Sequence, residues 1–237
     1  MMTETFKNTE TPIISVIGIG NDSKKYIDEI NDWASPLVSA KMLDRDFTGP
    51  ETGLAVSILI ITENVDATIL AKNLKQSGIL TLIVATREIR AMEGSYESMA
   101  IVSENKVMET VQTISEILTN PPQFPNIDIY GEIHYIFKDS GTLHAFSLKS
   151  YWKKGESDSF ITPLREKLKV LPPLKKLLVI FKFSRANFFG VKEIKDLVDF
   201  FSTLQIPVLW GLDANESLAG DELAIMAIAT ESRKSKE

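Results

Sequence analysis

The sequence predicts an α/β protein with a parallel-sheet N-terminal domain, a central helix and a C-terminal α+β domain. Three observations carry that expectation. IISVIGIG (13–20), LAVSILIIT (54–62) and ILTLIVAT (79–86) are almost uninterrupted apolar runs of strand length, the pattern of strands covered on both faces. Helical periodicity fills stretches between and after them. Beyond NPPQFP (120–125) the rhythm changes to helices mixed with strands, one of which alternates apolar and polar residues.

Each element follows from its residues. The run at 13–20 ends in glycine, and Asn21, Asp22 and Ser23 supply helix-start chemistry ahead of Tyr26, Ile27, Ile30 and Trp33. Residues 34–53 hold Pro36, Gly49, Pro50 and Gly53 and read as a connection with little structure. Asp66 can cap a helix carrying Ala67, Ile69, Leu70, Ala71 and Leu74, which Gly78 stops. Strand, helix, strand with short joints is a βαβ unit, hence a parallel sheet with a right-handed crossover. Residues 94–105 fit helix, strand or loop equally. Val107, Met108, Val111, Ile114, Ile117 and Leu118 line one face of the central helix, and Pro121, Pro122 and Pro125 break it.

That break sets the expected domains at 1–120 and 121–237. In the second, Asp128 can cap a helix bearing Ile129, Ile133, Ile136 and Phe137. TLHAFSL (142–148) alternates as a half-exposed strand, a short helix covers 160–169, and LLVIFKFS (177–184) is a strand. Val191, Ile194, Val198 and Phe201 mark a helix. Strands at 208–212 and 223–230 flank an acidic turn that reads as a hairpin connection.

Composition narrows the function classes. A chain of 237 residues, 44% hydrophobic, with mean hydropathy of +0.01, fits a soluble globular protein. Without cysteine there is neither disulfide nor thiolate metal site, and His134 and His144 would need several carboxylates to hold zinc. No apolar run approaches the ~18 residues of a spanning helix. The start, MMTETFKNTET, lacks the apolar core of a signal peptide. A cytoplasmic protein without a membrane span is expected.

Net charge is −6, unevenly spread: residues 149–185 hold ten Lys/Arg against three acids, a balance of +7 that leaves −13 elsewhere. Such a band suits nucleic acid, lipid or an acidic protein surface, or is simply the solvated faces of one helix and one strand. One aromatic pair, Tyr151-Trp152, lies among these charges, so there is no clear nucleic-acid signal.

Three fragments, in order, carry a family resemblance: VMETVQTISEILTNPPQFPNID (107–128), FFGVKEIKDLVDFFS (188–202) and LWGLDANESLAGDELAIMAIAT (209–230). They resemble the central helix and following loop, the long C-terminal helix and the closing hairpin of the FtsZ branch of the tubulin superfamily. With the strands upstream, the likeness covers most of the chain. It implies a reduced, Rossmann-like, tubulin/FtsZ GTPase-like domain, the central helix and an FtsZ C-terminal-like α+β domain.

The departures bear on activity. The family holds GTP phosphates in a Gly-Gly-Gly-Thr-Gly-Thr-Gly loop, where backbone N–H groups approach the anion unhindered by Cβ atoms. Here that junction reads IITENVDATILAKNL (60–74), and Glu63 and Asp66 bring negative charge to the helix start. The first phosphate loop is reduced to GIGND (18–22), where Gly18, Gly20 and Asn21 are the candidate nucleotide contacts. Gly18 and Gly20 fit close backbone packing as well as phosphate contact. The resemblance also points to the family's Asn-x-Asp-x-x-Asp motif, whose carboxylates position the attacking water. Asn126 and Asp128 match its first two positions, Gly131 stands at the third, and Glu132 comes one residue late. Asn126 and Asp128 equally suit a turn and helix cap.

The resemblance therefore implies a cell-division or cytoskeletal homologue that keeps the scaffold without GTP hydrolysis, a pseudo-GTPase with no required cofactor. Its partners would be itself, a true FtsZ or another division protein. The alternative is a working GTPase that binds GTP and magnesium in a rearranged site. A third reading takes the likeness as architectural and the chain as a sensor for another small ligand.

Overall fold

The computed structural model describes residues 13–33, 35–43, 54–63, 66–89, 94–120, 122–125, 129–138, 140–185, 189–215 and 217–232. The chain divides into two compact units, Met1–Ile83 with Ile89–Tyr96, and Val84–Glu88 with Glu97–Glu237. The proline-rich break at 120–125 lies inside the second unit.

In the first unit the strands β1 (Ile14–Ile19), β2 (Val38–Met42), β3 (Val56–Ile61) and β4 (Leu80–Ala85), the last two residues of which are counted with the second unit, stand in the order β2-β1-β3-β4. β1 pairs in parallel with β2 and β3, and Ile14 faces both Val38 and Val56. Every residue of β1, β3 and β4 is buried, as their unbroken apolar runs require. Helix α1 (Lys24–Trp33) buries Tyr26, Ile27 and Ile30, and α2 (Thr68–Gln76) buries Leu70, Ala71 and Leu74. The residue at the N-cap of α2 is Ala67 rather than the expected Asp66, whose carboxylate, one position earlier, accepts the Thr68 N–H at 2.9 Å. Hydrogen bonding to Thr68 holds that carboxyl below its ordinary value.

Two expectations are corrected here. Residues 34–53, read as a connection with little structure, contain β2. As the outermost strand in this order it is only partly buried, so it lacks the continuous apolar run that marks its neighbours. Ile69, placed on the apolar stripe of α2, is 76% exposed.

The second unit holds β5 (Ser98–Ile101), α3 (Val107–Thr119), α4 (Ile129–Phe137), β6 (Ser140–Tyr151), α5 (Asp158–Lys169), β7 (Lys176–Phe183), α6 (Val191–Thr203), β8 (Val208–Ala214) and β9 (Glu222–Ser232). Residues 94–105 thus contribute a strand and a 3-10 turn, Glu104–Lys106. Strand order is β5-β6-β9-β7-β8, with β9 antiparallel to both β6 and β7 and β8 parallel to β7. The last two strands therefore do not form the expected hairpin, because β7 stands between them. Residues 225–230 of β9 are all buried, and a strand apolar on both faces belongs in the interior of a sheet.

Alternation along β7 separates two surfaces. Leu177, Val179, Phe181 and Phe183 join Phe160 and Leu164 of α5, Leu197, Phe200 and Phe201 of α6, and Trp152 in one aromatic-rich core. Trp152 stacks on Phe189 with centroids 4.7 Å apart. The other surface carries Leu178 and Ile180 between two buried lysines, Lys176 and Lys182. Lys176 donates to the carbonyls of Tyr135 and Lys138 at the end of α4. With both lysines inside, the basic band of 149–185 is not one exposed face. In α6 the buried side is Glu193, Leu197, Phe200 and Phe201, whereas Val191 and Val198 are exposed.

Candidate functional site

The turn from β1 into α1 is where the sequence places Gly18, Gly20 and Asn21. Gly20 has φ of +85°, a backbone state that side chains disfavour. Its carbonyl accepts the Ser23 N–H at 3.1 Å, closing a 3-10 turn, Asn21–Ser23, that runs straight into α1. The fully buried Ser23 hydroxyl donates to the Ile19 carbonyl at 2.7 Å and lies 3.1 Å from the Thr62 hydroxyl. Hydrogen bonds from one serine therefore tie the turn to β1 and to the end of β3.

Gly18 serves packing. A Cβ there would stand 2.7 Å from Ile27 Cγ1 and 2.8 Å from Met42 Sδ, so its bare Cα lets α1 and β2 close onto β1. Gly20 leaves room for something else. A Cβ on it would come within 2.9 Å of Glu63 Cδ, and Glu63 Oε1 accepts the Asp22 N–H at 2.7 Å. The carboxylate of Glu63 sits against the start of α1.

The first N–H groups of a helix lack partners within it and attract anions. Here the anion that answers them belongs to the chain itself, in a charge-assisted hydrogen bond. A phosphate brought to the Asp22 N–H would meet the Glu63 carboxylate at contact distance. Two anions at that distance repel each other unless a cation lies between them. In this arrangement the Asp22 N–H is already taken by Glu63.

Glu63 was expected to charge the start of α2; it turns instead to α1, 41 residues away in sequence from its partner Asp22. Parallel register explains the reach. Ile19 faces Ile61 across β1 and β3, so the residues leaving those strands emerge side by side. Asn21 is exposed at the first position of the 3-10 turn. Glu132 is exposed in the first turn of α4. Asn126 and Asp128 lie outside the described residues.

In the second unit, an open groove of about 940 Å³ runs between the start of α5 and α6, lined by Ser157, Asp158, Arg165, Lys192 and Asp196 among others. Its polar groups largely answer one another: Asp196 accepts Ser157 at 2.5 Å and Lys192 at 2.8 Å. The Lys192 bond, then the Ser157 bond, hold the Asp196 carboxyl below its ordinary value. Among the described residues no three His, Cys, Asp or Glu side chains gather as metal ligands. No described helix is long and apolar enough to cross a membrane.

The sequence matches no protein-family model and no curated protein. Solved structures are similar over nearly the whole chain. A dimer of FtsZ from M. jannaschii shares 12% identity at a TM-score of 0.66, with 98% of this chain and 94% of that one covered. CetZ from Methanosaeta thermophila shares 11% at 0.63, over 93% and 87%. TubZ of Bacillus thuringiensis serovar israelensis, in GDP-form protofilaments, shares 9% at 0.63, over 93% and 89%. At such identities the likeness is one of fold, and the chain has the FtsZ/tubulin-like α/β fold.

Proposed function

We propose that this chain is a cytoskeletal or cell-division scaffold of FtsZ/tubulin-like fold that works without hydrolysing GTP. It acts through surfaces, by self-association or by modulating FtsZ filaments in the cytoplasm. The observation that carries this reading is the Glu63 carboxylate bonded to the Asp22 N–H beside Gly20. It puts a negative charge where the resemblance implies a nucleotide phosphate. Self-association has support from two of the similar proteins, one solved as a dimer and one as protofilaments.

Calorimetric titration with GTP and GDP, with and without magnesium, tests the first half. No binding up to millimolar nucleotide is expected, and micromolar, magnesium-sensitive binding overturns the reading. Sedimentation tests the second half. The protein should assemble with rising concentration in the absence of nucleotide, or pellet with FtsZ filaments; a monomer that does neither rejects the scaffold role.

A further inference from the structure

A charged cluster lies on the α3 side of the second unit, away from the aromatic core. Lys182, near the end of β7, has a side chain only 4% exposed, and its ammonium lies 2.5 Å from Glu116 Oε1 on α3. The parallel register of β7 and β8 places Asp213 directly beside Lys182, on the same face of the sheet. The register thus sets a second carboxylate on the strand beside the buried ammonium, whose ion-pair partner is Glu116. Fully ionised, the cluster carries a surplus negative charge in partly desolvated surroundings, which is unfavourable.

We propose that Glu116, Lys182 and Asp213 form a proton-operated clamp between the C-terminal half of α3 and the β7–β8 pair. With one proton on the carboxylate pair the cluster is neutral and α3 is held. Loss of that proton leaves two anions on one cation and loosens α3. Burial pushes the Asp213 carboxyl up, Lys182 opposes the shift, and Glu116 adds to it. Those are the charged groups that act on Asp213 from β7 and α3; β9 contributes the uncharged Ala224 opposite Lys182.

The sign follows from linkage. A carboxyl raised in the folded state binds its proton more tightly there than in the open state. The clamp is therefore firm at low pH and weakens as pH rises through the raised value.

Hydrogen exchange of the full chain tests this, read as protection factors of α3 from the ordinary aspartate range at about pH 4 up to about pH 8, with β1 and β3 as internal reference. Protection of α3 should fall with pH by up to about tenfold per unit through the titration, while the reference strands do not follow. Asp213→Asn should abolish that slope and keep α3 at its low-pH protection. Glu116→Gln leaves one carboxylate per ammonium and should move the step to lower pH. Carbon-13 carboxyl NMR of the unsubstituted protein should show Asp213 titrating above the ordinary aspartate range. An unchanged slope in Asp213→Asn, or an ordinary titration of Asp213, overturns the clamp.

Discussion

Glu193 accepts the N–H of Gly155 at 2.7 Å and, with its other oxygen, the N–H of Gly190 at 2.9 Å. One buried carboxylate, 2% exposed, therefore joins the turn before α5 to the first residue ahead of α6. Burial pushes its carboxyl up, but the N–H groups of Gly155, Glu193 itself and Gly190, with Lys192, outweigh that and hold it below the ordinary value.

Replacing Glu193 by alanine leaves two amides unanswered and should lower stability by about 2–3 kcal/mol in urea unfolding. The pH profile carries a second signature. Because the folded carboxyl is depressed, its contribution is present above the ordinary glutamate range and lost as pH falls through the folded value. The acid limb of the stability profile should be shallower in Glu193→Ala than in the parent.

Gly18→Ala should cost about 1–3 kcal/mol, because the new Cβ would press on Ile27 and Met42. Gly20→Ala meets a different obstacle: it must hold φ of +85° and also approach Glu63. Removing the Glu63 carboxylate should relieve the second part only. The double variant Gly20→Ala with Glu63→Ala should then lose less stability than the sum of the singles. Strict additivity would show that Glu63 does not fill the space beside Gly20.

Glu63→Ala should lower stability by about 1 kcal/mol, since a helix start loses a charge-assisted acceptor. Glu63→Gln keeps an acceptor for the Asp22 N–H and should lose less. Equal losses in the two variants would mean that the hydrogen bond contributes nothing beyond packing.

Trp152 is 1% exposed, stacks on Phe189 and meets Phe160 edge-on at 6.5 Å. Its buried indole N–H has no hydrogen-bond partner among the described residues. Trp152→Phe therefore removes no polar contact and should lose no more than about 1.5 kcal/mol, whereas Trp152→Ala should lose about 3–5 kcal/mol. Unfolding curves read by circular dichroism distinguish the two.

The sequence was most legible where burial is two-sided. β1, β3, β4 and β7 announce themselves as apolar runs, and the amphipathic α3 by its stripe. β2 is not legible, because a partly buried outer strand such as VSAKM has no apolar run to display. The order β6-β9-β7 was hidden because local sequence records what a strand is, not which strand it pairs with. At the candidate site Gly18 and Gly20 were visible as glycines. Their different uses were not, since Met42 and Glu63 arrive from elsewhere in the chain. Only the register of β1 with β3, unknown before the fold, brings Glu63 to Asp22.

β9 lies between β6 and β7 yet follows both in synthesis. Until the ribosome has released residues beyond 232, β6 and β7 have no partner in the gap between them, and both present open edges of backbone N–H and carbonyl groups. Nascent chains stalled before Glu222 should therefore recruit chaperones or aggregate, because the second unit can close its sheet only once β9 has emerged.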